Sequence, residues 1–95
     1  MVNICSKFEV NECLRTSFLQ NVTQLVYTAK SLGGCVSYEL FHDLDNRNIY
    51  YIFEIWKNEA CEVSKKKSKL YTEYMQEIVK TLNNEIEINK IEKSI

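Results

Sequence analysis

The sequence predicts an α+β fold of order β-α-β-β-α-β, a four-stranded antiparallel sheet with both helices on one face. Three observations carry that prediction. Apolar residues alternate from Val2 to Val10, recur at helical spacing from Phe18 to Leu32, and then fill two strand-length runs on either side of a polar turn, the second apolar on both faces. A second helical stripe follows from Tyr71 to Leu82, and a short alternating segment closes the pattern. The order is ferredoxin-like. With 95 residues and neither repeats nor linkers, the chain reads as one domain, 1–95.

Each element has a local reason. In the first strand Val2, Ile4, Phe8 and Val10 share a parity that Ser6 interrupts. In the helix predicted over 12–32, Phe18, Val22, Leu25, Ala29 and Leu32 form one stripe, and Gly33-Gly34 ends it because glycine accepts left-handed backbone. The second strand runs from Cys35 to Asp43, Asp45 to Asn48 reads as a turn, and the third strand runs from Ile49 to Trp56. Asn58 is a good N-cap, and Ser68 is a second cap where the helical region breaks. Tyr71, Met75, Ile78 and Leu82 then build a stripe that Asn83-Asn84 stops, before a short strand carrying Ile86 and Ile88.

Composition narrows the function classes. Hydrophobic residues make up 45% and charged residues 26%, with a net charge of −1, so nothing argues for a nucleic-acid partner. No run approaches the ~18 apolar residues of a membrane span, and no signal-like segment opens the chain. The expectation is a cytoplasmic protein. Cys5, Cys13, Cys35 and Cys61 show no C-x-x-C spacing and no histidine pair, which argues against zinc and for reduced, packing thiols. Lys65-Lys66-Lys67 reads as a solvated helix face.

The third strand raises the question of a partner. Ile49, Tyr51, Phe53 and Ile55 point one way, while Tyr50, Ile52 and Trp56 point the other. Two helices cover one side of a sheet only. Four to six apolar side chains on the other side represent about 1.5–3 kcal/mol each when buried. A homodimer through the sheet faces is therefore expected. If the hairpin loop has an even number of residues, Val36, Tyr38 and Leu40 join the Ile49 set and Glu39 stands opposite Glu54. Such a pair would share a proton, be bridged by Arg15 or a lysine, or reach solvent.

The stretch GGCVSYELFHDLDNRNIYYIFEIWKNEA resembles the core of the antibiotic biosynthesis monooxygenase (ABM) domain. Gly34, Cys35, Ser37, Tyr38, Glu39 and Leu40 match its G-C-x-S-Y-E-L strand, and Glu54 and Trp56 match its E-x-W strand end. The resemblance implies a dimeric α+β barrel with a pocket between sheet and helices in each subunit. It also implies a cofactor-independent oxidoreductase that oxygenates a small aromatic or quinol-like substrate with O₂, without metal or flavin. On that reading Trp56, Glu54 and Tyr71 are the candidate catalytic residues, and Tyr38, Glu39, Ser6, Phe41 and Ile52 are the candidate substrate-binding residues. Trp56 and Tyr71 also fit as plain core residues, and the lone His42 fits a turn.

Two departures weigh on the activity. Where relatives carry an H-x-x-S-P-H-type stretch, Lys65 and Leu70 occupy the histidine positions and only Ser68 matches. Ser6 stands where haem-degrading relatives have asparagine, and no helix carries a histidine, which argues against haem ligation. The alternative is a dimeric small-molecule binding protein without turnover. A weaker third reading, an acid–base isomerase, requires Glu54 or Glu39 to titrate near neutrality.

Overall fold

The computed structural model describes residues 1–95. The sheet contains β1 (Val2–Glu9), β2 (Cys35–His42), β3 (Ile49–Trp56) and β4 (Glu87–Ile91), all antiparallel in the order β2-β3-β1-β4. The helices are α1 (Arg15–Lys30), α2 (Glu59–Ser64) and α3 (Lys69–Val79). This is the predicted ferredoxin-like arrangement, with single-turn 3₁₀ segments at Glu12–Leu14 and Lys65–Lys67 replacing the helical geometry expected there. The caps account for the breaks. The Cys13 N–H donates to Asn11 Oδ1 at 3.0 Å, Cys61 N–H to Asn58 Oδ1 at 2.9 Å, and Tyr71 N–H to Ser68 Oγ at 3.2 Å.

Phe18, Val22, Leu25 and Ala29 of α1 are all fully buried and meet Ile78 and Tyr71 of α3 in one core cluster. The sheet contributes Phe8, Tyr38, Tyr50, Ile52 and Trp56. Phe18 is the hub of the aromatic packing, with ring centroids 5.9 Å from Phe8 and 4.8 Å from Tyr50. Along β3 burial alternates without exception: Tyr50, Ile52, Glu54 and Trp56 lie under the helices, while Ile49, Tyr51, Phe53 and Ile55 form a half-buried outer row.

The β2–β3 register differs from the even-loop expectation. His42 pairs with Tyr50 across an odd number of residues, so Tyr38 stands opposite Glu54 and Glu39 opposite Phe53. The Asp43 carboxylate sets the loop. Its Oδ2 accepts the N–H groups of Asp45 and Asn46, both at 3.0 Å, which holds the acid below the usual carboxylate range. A bulge between Cys35 and Ser37 shifts the far end of β2. Glu39 and Glu54 therefore lie on opposite faces and share no proton. Tyr38 and Leu40 belong with Glu54, not with the Ile49 row.

Gly34 shows why the glycine pair ends α1 as it does. Its φ is +81°, and an added Cβ would stand 2.3 Å from Cys61 Sγ and 2.6 Å from Cys61 Cβ. Gly34→Ala is expected to destabilise the fold by roughly 1–3 kcal/mol in urea unfolding. Gly33→Ala, where nothing lies within 4 Å, is the comparison and is expected to change stability little. Equal midpoints for the two variants would refute the packing argument.

Candidate active site

A cavity of about 600 Å³ opens between the helix-facing side of the sheet and the α2–α3 segment. Ile4, Phe8, Met75, Ile86 and Ile88 supply apolar wall, and Ser6, Tyr38, Glu54, Lys65 and Tyr71 supply the polar groups. Strand alternation places them. Ile4, Ser6 and Phe8 share a parity on β1, and Ser6 pairs laterally with Ile52 on one side and Ile88 on the other. On α3, Tyr71 and Met75 sit one turn apart on the face turned to the sheet.

Glu54 is the centre of the polar groups. It is 3% exposed, and its Oε1 accepts two hydrogen bonds: Trp56 Nε1–H at 2.8 Å and Lys65 Nζ at 2.5 Å. Its second oxygen, Oε2, accepts none from the protein, yet it is not a sealed orphan, so it meets the cavity. The side chain is thus fixed through one oxygen and open through the other.

Lys65 is the residue that sequence reasoning misplaced. The lysine run is not uniformly solvated: Lys65 is buried, with Nζ also 3.2 Å from Glu62 Oε2 and 5.7 Å from the centroid of the Trp56 ring. Glu62 Oε1 in turn meets Lys90 Nζ of β4 at 3.2 Å. Four charges alternate in sign from the buried end of the cavity outward: Glu54, Lys65, Glu62, Lys90. Burial alone would raise the Glu62 carboxyl, but its bonds to Lys90 and Lys65 hold it below the ordinary glutamate value. A signal for this was present in the sequence, because Glu62 and Lys65 stand three apart on one helical face and Lys90 shares a parity with Ile88.

Beside Glu54, the Tyr38 and Tyr71 hydroxyls lie 2.9 Å apart, with their rings edge-on at 87°. Burial is the main cause that pushes both phenols well above the ordinary tyrosine value, with Tyr71 reinforcing it at Tyr38 and the negative charge of Glu54 acting on both. Both stay protonated. One O–H serves the mutual bond, which leaves the other proton to donate to a group in the cavity.

Of the candidate residues, the structure brings Glu54, Tyr38 and Ser6 of the sheet and Tyr71 of α3 to one cavity. Trp56 does not line the cavity; it is fully buried and acts on the site through its N–H to Glu54 and its ring beside the Lys65 ammonium. Ile52 is packed in the core behind the wall. Glu39 and Phe41 project from the opposite face of the sheet, because they alternate with Tyr38 and Leu40, and Phe41 is 50% exposed. They cannot contact a ligand in this cavity. His42 is exposed, its Nδ1 3.2 Å from the Asp43 carbonyl oxygen, and Leu70 is 55% exposed. No group of three or more His, Cys, Asp or Glu side chains is placed to hold a metal ion. No helix is long and apolar enough to cross a membrane.

The whole fold recurs in solved structures. A conserved protein from Methanosarcina mazei Go1 superposes with a TM-score of 0.92 at 24% identity, covering 98% of this chain and 92% of that one. A protein described as an antibiotic biosynthesis monooxygenase gives 0.94 at 15% identity with both chains fully covered. A conserved protein of unknown function from Bacteroides thetaiotaomicron gives 0.85 at 20%, covering 95% and 96%. At these identities the likeness shows the fold. Among curated proteins, none matches the chain. The sequence itself, however, matches the family model "Antibiotic biosynthesis monooxygenase" over residues 1–80, a span that contains Ser6, Tyr38, Glu54, Lys65 and Tyr71, and so the chain belongs to the antibiotic biosynthesis monooxygenase family.

Proposed function

We propose that the protein is a monooxygenase that uses O₂ on a small aromatic or quinol-like molecule held in the helix–sheet cavity. The observation that carries this reading is the open oxygen of Glu54 beside a protonated tyrosine pair. A carboxylate fixed through Oε1 can take a proton at Oε2 from an activated C–H or O–H of the substrate. Tyr71, backed by Tyr38, donates a hydrogen bond to the oxyanion that deprotonation creates. The electron-rich anion then reduces O₂. For an activated aryl methylene, two hydrogens leave, one oxygen atom becomes the product carbonyl, and the other departs as water. Ser6 adds a hydroxyl on the opposite strand for orientation, and the apolar walls exclude bulk water.

Oxygen uptake with anthrone- and quinol-type compounds tests the reading. Uptake above the buffer rate supports it; saturable binding of the same compounds with no uptake would replace it with the non-catalytic binding protein. That second reading draws its support from Lys65, whose ammonium is tied to two carboxylates.

The outer row of the sheet completes the proposal. Ile55, Phe53 and Tyr51 stand across from Ser37, Glu39 and the exposed Phe41 of β2, with the exposed Val36 in the bulge at the strand end. A second copy of the chain covers this face, sheet against sheet. Sedimentation at micromolar concentration is expected to give a dimer, and Phe53→Arg a folded monomer. A wild-type monomer at that concentration would end this part of the proposal.

A further inference from the structure

The geometry points to a substrate that carries its own acidic group, held at the cavity mouth by Lys66 while the neutral ring lies inward against Tyr71 and Glu54. The inference rests on the cavity being the ligand site and adds the charge and orientation of what enters it.

It follows from the charges around the cavity. At the inner end Lys65 is matched by Glu54 and Glu62, and farther out Lys90 is matched by Glu62. Lys66 also lines the cavity, but it makes no ion pair. Three ammonium groups thus face two carboxylates, and the unmatched positive charge belongs to Lys66. An anion gains nothing at the inner end, where the open oxygen of Glu54 repels it. At the mouth it meets a free cation.

The backbone at the mouth is fixed. Thr72 Oγ1 donates to the Lys66 carbonyl oxygen at 3.1 Å, which ties the 3₁₀ turn to α3. Gln76, one turn beyond Thr72, lines the same opening and offers an amide N–H₂. A carboxylate held by the Lys66 ammonium has the Gln76 amide, which lines the same cavity, as a second donor within the lining. An aromatic acid so held is expected to enter with the ring leading. That places its reacting carbon, and not its carboxylate, near Glu54 Oε2.

Calorimetric titration with 2-naphthoate and its neutral partner 2-naphthamide tests this on the wild-type protein, Lys66→Gln and Lys66→Glu. At low salt the wild type is expected to bind the acid roughly five- to tenfold more tightly than the amide, with the preference shrinking in about 0.5 M salt. Lys66→Gln should abolish the preference and Lys66→Glu reverse it. Affinity for the amide should be the same in all three, which also shows that the cavity is intact. Equal wild-type affinities overturn the acidic-substrate inference and leave the cavity reading standing. A preference that survives in Lys66→Gln overturns the assignment to Lys66. If neither compound binds the wild type, the cavity reading fails and this inference with it.

Discussion

Glu54→Gln is expected to lower turnover by roughly 10²- to 10⁴-fold, the range lost when a positioned general base is removed. The variant is chosen for what it retains. A glutamine side-chain oxygen can still accept from Trp56 Nε1–H and Lys65 Nζ, the two donors that fix Glu54 Oε1. The amide nitrogen then takes the place of Oε2 on the cavity wall, with no capacity to accept a proton. Binding of a non-reacting aromatic should change little, so the loss should fall on kcat and not on KM. Trp56→Phe provides the contrast. It removes one of two donors to Oε1 and leaves the carboxylate in place, so its effect on turnover should be smaller. An oxygen electrode reading the wild type and both variants on one anthrone-type substrate decides the matter. Full activity in Glu54→Gln would remove the carboxylate from the chemistry, whatever the cavity binds.

The sequence made the fold legible because the apolar periods are clean. β1 alternates, β3 is a strand-length apolar run ended by Trp56, α1 carries an unbroken stripe, and Asn58 and Ser68 mark helix starts where they form. The site was less legible, for two physical reasons. The first is register. A strand's pairing depends on the loop that precedes it, and neither the Asp43-centred turn nor the bulge near Val36 is encoded in apolar parity. One step of register moved Glu39 and Phe41 to the outer face and Tyr38 to the cavity. The second is ion pairing across elements. Lys65 looks like its neighbours Lys66 and Lys67, and only the placement of Glu54 on a different element distinguishes it. Trp56 was expected to line the pocket; it is instead buried behind it, with its indole N–H on Glu54.

Lys65→Met is expected to cost about 3–5 kcal/mol, a large share of the ~5–15 kcal/mol that stabilises a typical domain. The side chains of Lys65, Glu54 and Glu62 are only 10%, 4% and 8% exposed, so removing the cation takes the ammonium from both carboxylates, leaving Glu54 with the Trp56 N–H alone and Glu62 with Lys90 alone. Methionine keeps much of the stem volume, which separates the electrostatic loss from a packing loss. Lys66→Met in the same turn is the control. Lys66 is exposed and unpaired, and its loss should stay within about 0.5 kcal/mol. Adding Glu54→Gln to Lys65→Met should recover part of the loss, because one stranded charge is gone, and the double-mutant cycle should give a coupling of about 1–3 kcal/mol. Urea midpoints must be compared at one protein concentration, since a dimer makes stability concentration-dependent. If Lys65→Met unfolds at the same urea concentration as Lys66→Met, Lys65 is solvated in solution, Glu54 is not held through Oε1, and the fixed geometry required of the base does not exist.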